Sequence, residues 1–342
     1  MKKTAAKLVL MLSAVLICVS PVFGSGSERS AKTPGDFTNV ILIGWDGTDR
    51  DMLMRFLQAG KLPNLEKICR AGSFIKTEIS TGKTETKPGW AEILTGYSGK
   101  INGVRDNRCA YRPIPKGYTV FERLKKVFKD DSIVTIFLAG KRPNLGARGP
   151  HRIWIGGPRK TWDREDLWSK DGLLPAPETI FAFQGEPYFL TKESLDVYQN
   201  GLNSGENVIK RVLECLNRYK RSRFFLFAHF EEPDEQGHVY GGYSNEYSQA
   251  LLNDDRWLGM IISALKKHGL YEKTLIYVVS DHGFDPAGTN HHYEPHTFLA
   301  TNDSRVKRKT GDRKDITPTI LSRYGLDLTK IKPALEGDPL NE

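Results

Sequence analysis

Three aspartates and a cluster of histidines are the residues of this sequence best suited to chemistry. Asp46 follows directly on the apolar run Asn39–Trp45 (NVILIGW), Asp281 directly on Thr274–Ser280 (TLIYVVS), and Asp234 stands four residues beyond Phe224–Phe230 (FFLFAHF). Two of these acids carry a nearby histidine, His238 in Asp234-Glu235-Gln236-Gly237-His238 and His282 in Asp281-His282-Gly283, and His291, His292 and His296 follow closely. Six of the chain's eight histidines thus fall between His238 and His296, and five of them, all but His268, stand close after two of the acids. Mixed carboxylate and imidazole ligands suit zinc, and three acids with three or more histidines exceed what one tetrahedral site takes, so two divalent metal ions, zinc by ligand type, are expected. Taken singly, each piece is weak: an Asp at a strand end is an ordinary turn former or helix cap, and a lone Asp-His-Gly is an ordinary loop. His229, alternating inside an apolar run, reads as packing or as a support behind a ligand. The conjunction is what points to a metal centre.

A nucleophile candidate lies in Thr84-Glu85-Thr86-Lys87-Pro88-Gly89-Trp90-Ala91-Glu92-Ile93-Leu94-Thr95-Gly96. Pro88 suits the first turn of a helix running to Leu94, and Gly96 can end it, which sets Thr86 at or just before the helix N-cap. Exposed N–H groups and the helix dipole there would stabilise both an alkoxide and a bound phosphoryl group. Local sequence alone favours the simpler role, a helix cap.

These residues need elements to position them. The three runs above, with Ser132–Leu138 (SIVTIFL) as a fourth, are short, apolar and β-branched, as strands buried on both faces of a parallel sheet are. Between Tyr247 and Leu265 apolar residues recur at three-, four- and seven-residue spacings, the stripe of one helix face. Lys266, Lys267 and His268 then suit the C-terminal dipole, and Gly269 can cap it. Further helices are expected over 51–59, 120–128, 206–219 and 318–324. Strands interleaved with helices imply an α/β fold, a three-layer α/β/α sandwich around a largely parallel sheet. Ligands in such sheets bind beyond the carboxyl ends of the strands, where the three aspartates should converge. Residues 140–188, rich in Gly, Pro, Arg and Trp, read as a loop-rich cap or insertion in one catalytic domain over 38–342.

Ahead of that domain, Lys2, Lys3 and Lys7 precede an apolar run from Leu8 to Val19 and the boundary Val22-Phe23-Gly24, the pattern of a secretory signal peptide over 1–24. A polar, disordered leader over 25–37 should follow, with order beginning near Phe37. About a dozen apolar residues are too few to cross a bilayer core of ~30 Å, and no later run approaches ~20, so no stable transmembrane segment is expected after cleavage and the protein should be exported, periplasmic or secreted. Removing 1–24 takes three lysines and no acids from a net charge of +9. No block of like charge or aromatic-interleaved basic stripe marks a nucleic-acid groove, so the charge reads as solvated surface that can steer anionic substrates. Of the four cysteines, Cys18 leaves with the expected signal peptide, and Cys69, Cys109 and Cys215, odd in number and widely spaced, read as buried small hydrophobes, with one bridge open to them in an oxidising compartment.

The arrangement resembles the alkaline phosphatase superfamily, most closely its type I phosphodiesterase and nucleotide pyrophosphatase branch. The resemblance runs from Asn39 to Leu326 in four islands: the strand ending in Asp46-Gly47, TKPGWAEILTG, EEPDEQGHVYG and SDHGFD. It implies an alkaline-phosphatase-like fold, with Asp46, Thr86, Asp281 and His282 as ligands of one metal and Asp234, His238 and a later histidine as ligands of the other. For that last ligand it favours His291, four residues before Pro295, with His292 as the alternative and His296 behind both. It makes Thr86 the nucleophile and Asn107, 21 residues on, a phosphate-contacting amide, which reverses the balance against a mere cap. Lys141 and Arg142 resemble basic residues that some members place over a monoester's extra charge, with solvated loop charges as the alternative. Where the branch has Asn-His after its Thr-x-Pro step, this chain has Gly89-Trp90, which unsettles substrate preference. A formylglycine sulfatase is not expected, because Thr86 and Trp90 do not supply its Cys/Ser-x-Pro-x-Arg context.

The function expected is therefore two-metal hydrolysis of a small-molecule or headgroup phosphate ester, phosphodiesterase or pyrophosphatase-like, through a phosphothreonine. A phosphomonoesterase on the same scaffold is the alternative, and a metal-stabilised binding protein without turnover is the rival from another class.

Overall fold

The computed structural model describes residues 39–107, 112–129, 132–155, 179–286 and 288–341. The expected signal peptide and leader lie outside these residues, as does Cys109. Ten strands run in chain order as β1 (Asn39–Trp45), β2 (Ser73–Glu78), β3 (Val134–Ala139), β4 (His151–Ile155), β5 (Thr179–Phe183), β6 (Val197–Gln199), β7 (Phe224–Phe230), β8 (Thr274–Val279), β9 (His296–Thr301) and β10 (Thr310–Asp312). Nine helices accompany them among the described residues: α1 (Arg50–Gln58), α2 (Pro63–Ala71), α3 (Thr86–Thr95), α4 (Gly99–Asn102), α5 (Val120–Phe128), α6 (Gly205–Arg218), α7 (Glu232–Tyr240), α8 (Asn245–Lys267) and α9 (Ile316–Arg323).

Eight strands form one sheet in the order β10-β2-β9-β8-β1-β7-β3-β6, and β4 pairs with β5 in a separate two-stranded sheet within the segment expected to be a cap. Within the large sheet pairing is parallel throughout β8-β1-β7-β3-β6 and between β10 and β2, and antiparallel where β9 meets β8 and β2. Every residue of β1 and of β7 is buried, as the apolar runs require of central strands. Alternate side chains of β1 enter opposite cores. Val40 and Leu42 pack with Trp90, Phe121 and Ile320 on one face, while Ile41, Ile43 and Trp45 pack with Leu53, Val208 and Leu258 on the other. Each such buried aliphatic or aromatic side chain contributes ~1.5–3 kcal/mol, so the two faces together hold a three-layer sandwich.

The register decides where the chemistry sits. Ile43 lies opposite Ala228 on β7 and Val278 on β8, so all three strands run out at one edge and deliver Asp46, Glu231 and Asp281 side by side. The long helix α8 begins with Ser244 accepting from Tyr247 N–H and ends at His268 before Gly269, the stop expected from its basic last turn. Elements absent from the sequence reading are α2, β2, α4, β4, β5, β6, α7, β9 and β10. The described residues lie within one compact unit, and no helix among them is long and apolar enough to cross a membrane. Cys69 and Cys215 are free thiols, and burial pushes the Cys69 thiol up to about 12, in keeping with packing roles.

Candidate metal centre and active site

Asp46, Asp234 and Asp281 meet at the carboxyl edge of the sheet, all of them buried. Gly47 makes the convergence possible. Its φ of +64° turns the chain after β1, and a Cβ there would stand 2.7 Å from Asp234 Cβ. Backbone bonds lock the turn: Asp46 N–H donates to Phe230 O at 3.0 Å, Asp234 N–H to Asp46 O at 3.1 Å, and Gly47 N–H to Asp281 Oδ1 at 3.3 Å. Asp234 lies in the first turn of α7 rather than in a loop, so His238 falls one turn later and its Nε2 comes within 3.4 Å of Asp234 Oδ2.

His282 stands at the centre. Its Nε2 lies 3.5 Å from Asp46 Oδ1, 3.5 Å from Asp281 Oδ2 and 4.0 Å from Asp234 Oδ1. Two sets of candidate ligands share it, Asp46/Asp281/His282 and Asp234/His282/His291, each with donor atoms within 4.8 Å of one another. His291 is the downstream histidine brought to the acids: it is buried, its Nε2 is 3.6 Å from Asp234 Oδ1, and its ring stacks on His282 at 4.0 Å. His292 is exposed, and His296 sits at the start of β9 paired with Glu78 at 2.6 Å.

Charge at this edge is unbalanced. Burial raises the carboxyl of Asp281, and the negative charges of Asp46 and Asp234 raise it further, well above the usual range. Burial acts the same way on Asp234, but the Lys141 ammonium against its Oδ2, together with His238 and His282, outweighs it and holds the group well below that range. Lys141 also lies 3.5 Å from Asp46 Oδ2. Asp46 Oδ1, Asp234 Oδ1 and Asp281 Oδ2 are buried with no hydrogen-bond partner. Orphaned buried carboxylate oxygens are costly, and these three face the two ligand sets, which is the donor chemistry divalent cations satisfy. Burial and the neighbouring His282 push His291 down to about 3, which keeps its imidazole in the neutral form a metal requires.

Thr86 opens α3 one position inside the helix. Glu85 is the N-cap and makes no side-chain capping bond, so the cap role open to Thr86 from sequence is not the one observed. Thr86 Oγ1 instead lies 3.4 Å from His282 Nε2. Asn107 stands at the same helix start: its Oδ1 accepts from Lys87 N–H at 2.9 Å and its own N–H donates to Glu85 Oε2 at 2.5 Å. Holding Oδ1 toward the helix sends the amide NH2 to the other side of the side chain.

Lys141 and Arg142, adjacent in sequence, part company. Lys141 is mostly buried in the acid cluster, whereas Arg142 is exposed and lines a cavity of about 490 Å³ with Arg148, Glu186, Lys192, Tyr198 and Asn200.

Comparison with known proteins bears on this geometry directly. The sequence model of the type I phosphodiesterase / nucleotide pyrophosphatase family matches residues 40–334. The chain belongs to this family. It is 25% identical over 306 residues to ectonucleotide pyrophosphatase/phosphodiesterase family member 1 of Mus musculus, covering 86% of this chain and 29% of that protein. It is 25% identical over 276 residues to bis(5'-adenosyl)-triphosphatase of Xenopus laevis, covering 80% of this chain and 52% of that one. The chain therefore spans about half or less of the length of these relatives. Among solved structures, a Vibrio parahaemolyticus protein of the alkaline phosphatase superfamily superposes with a TM-score of 0.57 at 16% identity, covering 91% of this chain and 71% of that one. A structure solved with D-glucosamine-2-N,6-O-disulfate as its substrate gives 0.54 at 14% identity, covering 89% and 79%. The fold is that of the alkaline phosphatase superfamily.

Within this phosphodiesterase family chain, Gly89-Trp90 has a packing reason. A Cβ on Gly89 would stand 2.8 Å from Asp281 Cβ, so glycine lets α3 close against the end of β8. Trp90 turns into the core against Phe227 and His229. Two supports escaped the sequence reading. Arg313, buried, donates from Nε to Glu92 Oε2 at 2.6 Å and from NH1 to Asp281 O at 2.9 Å, tying the helix of Thr86 to the strand of Asp281. Thr84 O lies 2.5 Å from His291 Nδ1, which must donate to it, leaving the unprotonated Nε2 with its lone pair toward the acid cluster. No local signal marks either one, since the partners are separated by more than two hundred residues for Glu92–Arg313 and Thr84–His291.

Proposed function

We propose that this chain hydrolyses phosphate esters at a two-metal centre, with diesters and nucleotide pyrophosphates as the favoured class. The observation that carries the reading is the meeting of two acid–histidine ligand sets on His282 with Thr86 Oγ1 3.4 Å away at a helix start. Asp46, Thr86, Asp281 and His282 would hold one ion, and Asp234, His238 and His291 the other, zinc fitting this mixed oxygen and nitrogen set. Bound there, the ions would supply Lewis-acid stabilisation of charge at the nucleophile and the leaving oxygen. Thr86 Oγ attacks phosphorus in line, the bond from phosphorus to the leaving alcohol or phosphate breaks, and the departing oxygen takes up a proton. Water then cleaves the phosphothreonine and restores the hydroxyl. The N–H groups opening α3 and the Asn107 amide stabilise the phosphoryl oxygens as charge builds. Relatives named ectonucleotide pyrophosphatases support both the substrate class and an exported, periplasmic or secreted location.

The monoesterase reading draws on Lys141, whose ammonium lies beside Asp234 and would favour the extra charge of a monoester bound there; the placement of Arg142 does not support a share in that role. Side-by-side assay of aryl phosphate diester, monoester, phosphonate and sulfate after zinc loading tests the proposal. Diester turnover exceeding monoester turnover is expected, and Lys141→Ala should then damage monoester turnover more than diester turnover. Zinc uptake without hydrolysis of any phosphate ester would leave a binding protein instead.

A further inference from the structure

We infer that His229 is a positioning residue that fixes which oxygen of Asp46 faces the metal centre, and that Trp90 holds its imidazole in place. The inference rests on the two-metal reading and adds a residue to it. His229 lies on β7 with no exposed surface, and its Nε2 is 2.7 Å from Asp46 Oδ2. A carboxylate oxygen only accepts, so Nε2 carries the hydrogen and donates. Lys141 approaches the same Oδ2 at 3.5 Å. Two donors on one edge of the carboxylate turn the other oxygen, Oδ1, toward His282 Nε2 and the first ligand set, where it has no hydrogen-bond partner. A second-layer hydrogen bond of this kind orients a ligand and sharpens its affinity for the ion.

The imidazole is itself held. Trp90 meets it edge-on, ring centres 5.2 Å apart and planes at 82°. The indole fits because β1 carries glycine at position 44, where an added Cβ would stand 2.2 Å from Trp90 Cη2. Trp90 is one helical turn beyond Thr86 on α3. Trp90, His229 and Asp46 therefore form a chain of contacts joining the helix that carries Thr86 to the strand of the ligand. This gives the Gly89-Trp90 departure a role beside the site and not in substrate contact.

Competition for zinc between the full-length purified protein and a chromophoric chelator tests this, comparing wild type with His229→Leu and His229→Gln. The leucine variant should weaken one of two zinc equivalents about 10–100-fold and leave the other unchanged. Glutamine, whose amide N–H reaches as far as Nε2, should restore most of that affinity and the accompanying loss in kcat. Unaltered binding of both equivalents in His229→Leu would overturn the inference, as would equal losses in leucine and glutamine variants, which mark packing alone. If the leucine variant does not fold, His229→Asn takes its place: its shorter amide falls short of Asp46, so loss in Asn with retention in Gln supports the inference and equal behaviour overturns it. Wild-type protein that takes up no zinc would remove the two-metal reading itself, a result seen before any variant is compared, and this inference would go with it.

Discussion

At the scale of residues, the hydroxyl of Thr86 has little structural work to do. Thr86 is buried at the first position of α3, makes no capping bond, and has His282 as its side-chain neighbour. Thr86→Ala should lower kcat roughly a thousandfold or more while leaving the unfolding midpoint within a degree or two of wild type, as seen by steady-state assay and thermal melts on the same samples. A buried acid beside the site makes a separate prediction. Burial, together with the charges of Glu235 and Glu232, raises Glu231 from its ordinary 4.5 to about 8. An acid raised in the folded state favours folding while protonated, so its contribution is full below pH 4.5 and is lost as pH rises through about 8. Glu231→Gln should therefore raise the melting temperature relative to wild type more at pH 8.5 than at pH 5. A gain of equal size at both pH values would contradict this.

At the scale of elements, the closeness of α3 to β8 is the feature that brings nucleophile and ligands together. Gly89→Ala would place a methyl 2.8 Å from Asp281 Cβ, so helix or strand must shift. A cost of about 1–3 kcal/mol is expected, with a fall in activity larger than that stability loss explains, measured as kcat at a temperature where the variant is fully folded. The sequence was informative about elements to the extent that burial was uniform. β1, β7 and β8 bury all their residues and read as strands from composition alone. β2 mixes one exposed and several half-buried positions and did not. The helix α7 was legible only as a motif, because the residues it buries are Pro233, Asp234 and Gly237, with Gly237 seated on Phe284, and no apolar stripe announces it. Among site residues, acids and histidines at strand ends were legible because a parallel sheet exposes its carboxyl edge. Arg313 and Thr84 were not, nor was the pairing of His229 with Asp46, since each acts through a contact that only the tertiary fold creates.

At the scale of the whole molecule, the sheet gathers three buried carboxylates around Lys141, which reaches two of them. Such a site adds to stability when cations are bound and detracts when they are removed. Zinc at a hundred times its dissociation constant would add about 2.7 kcal/mol per site, so chelation should lower the melting temperature by several degrees. A melt unmoved by chelator and zinc would count against metal binding in the folded state. The central claim, that chemistry passes through Thr86, is tested most directly by acid-quenching the zinc-loaded enzyme during turnover of an aryl phosphate diester and mapping phosphate by peptide mass spectrometry. Phosphate on Thr86 is expected, absent from Thr86→Ala and from metal-stripped protein; brisk turnover with no phosphorylated peptide, or with phosphate on another residue, would contradict a threonine nucleophile.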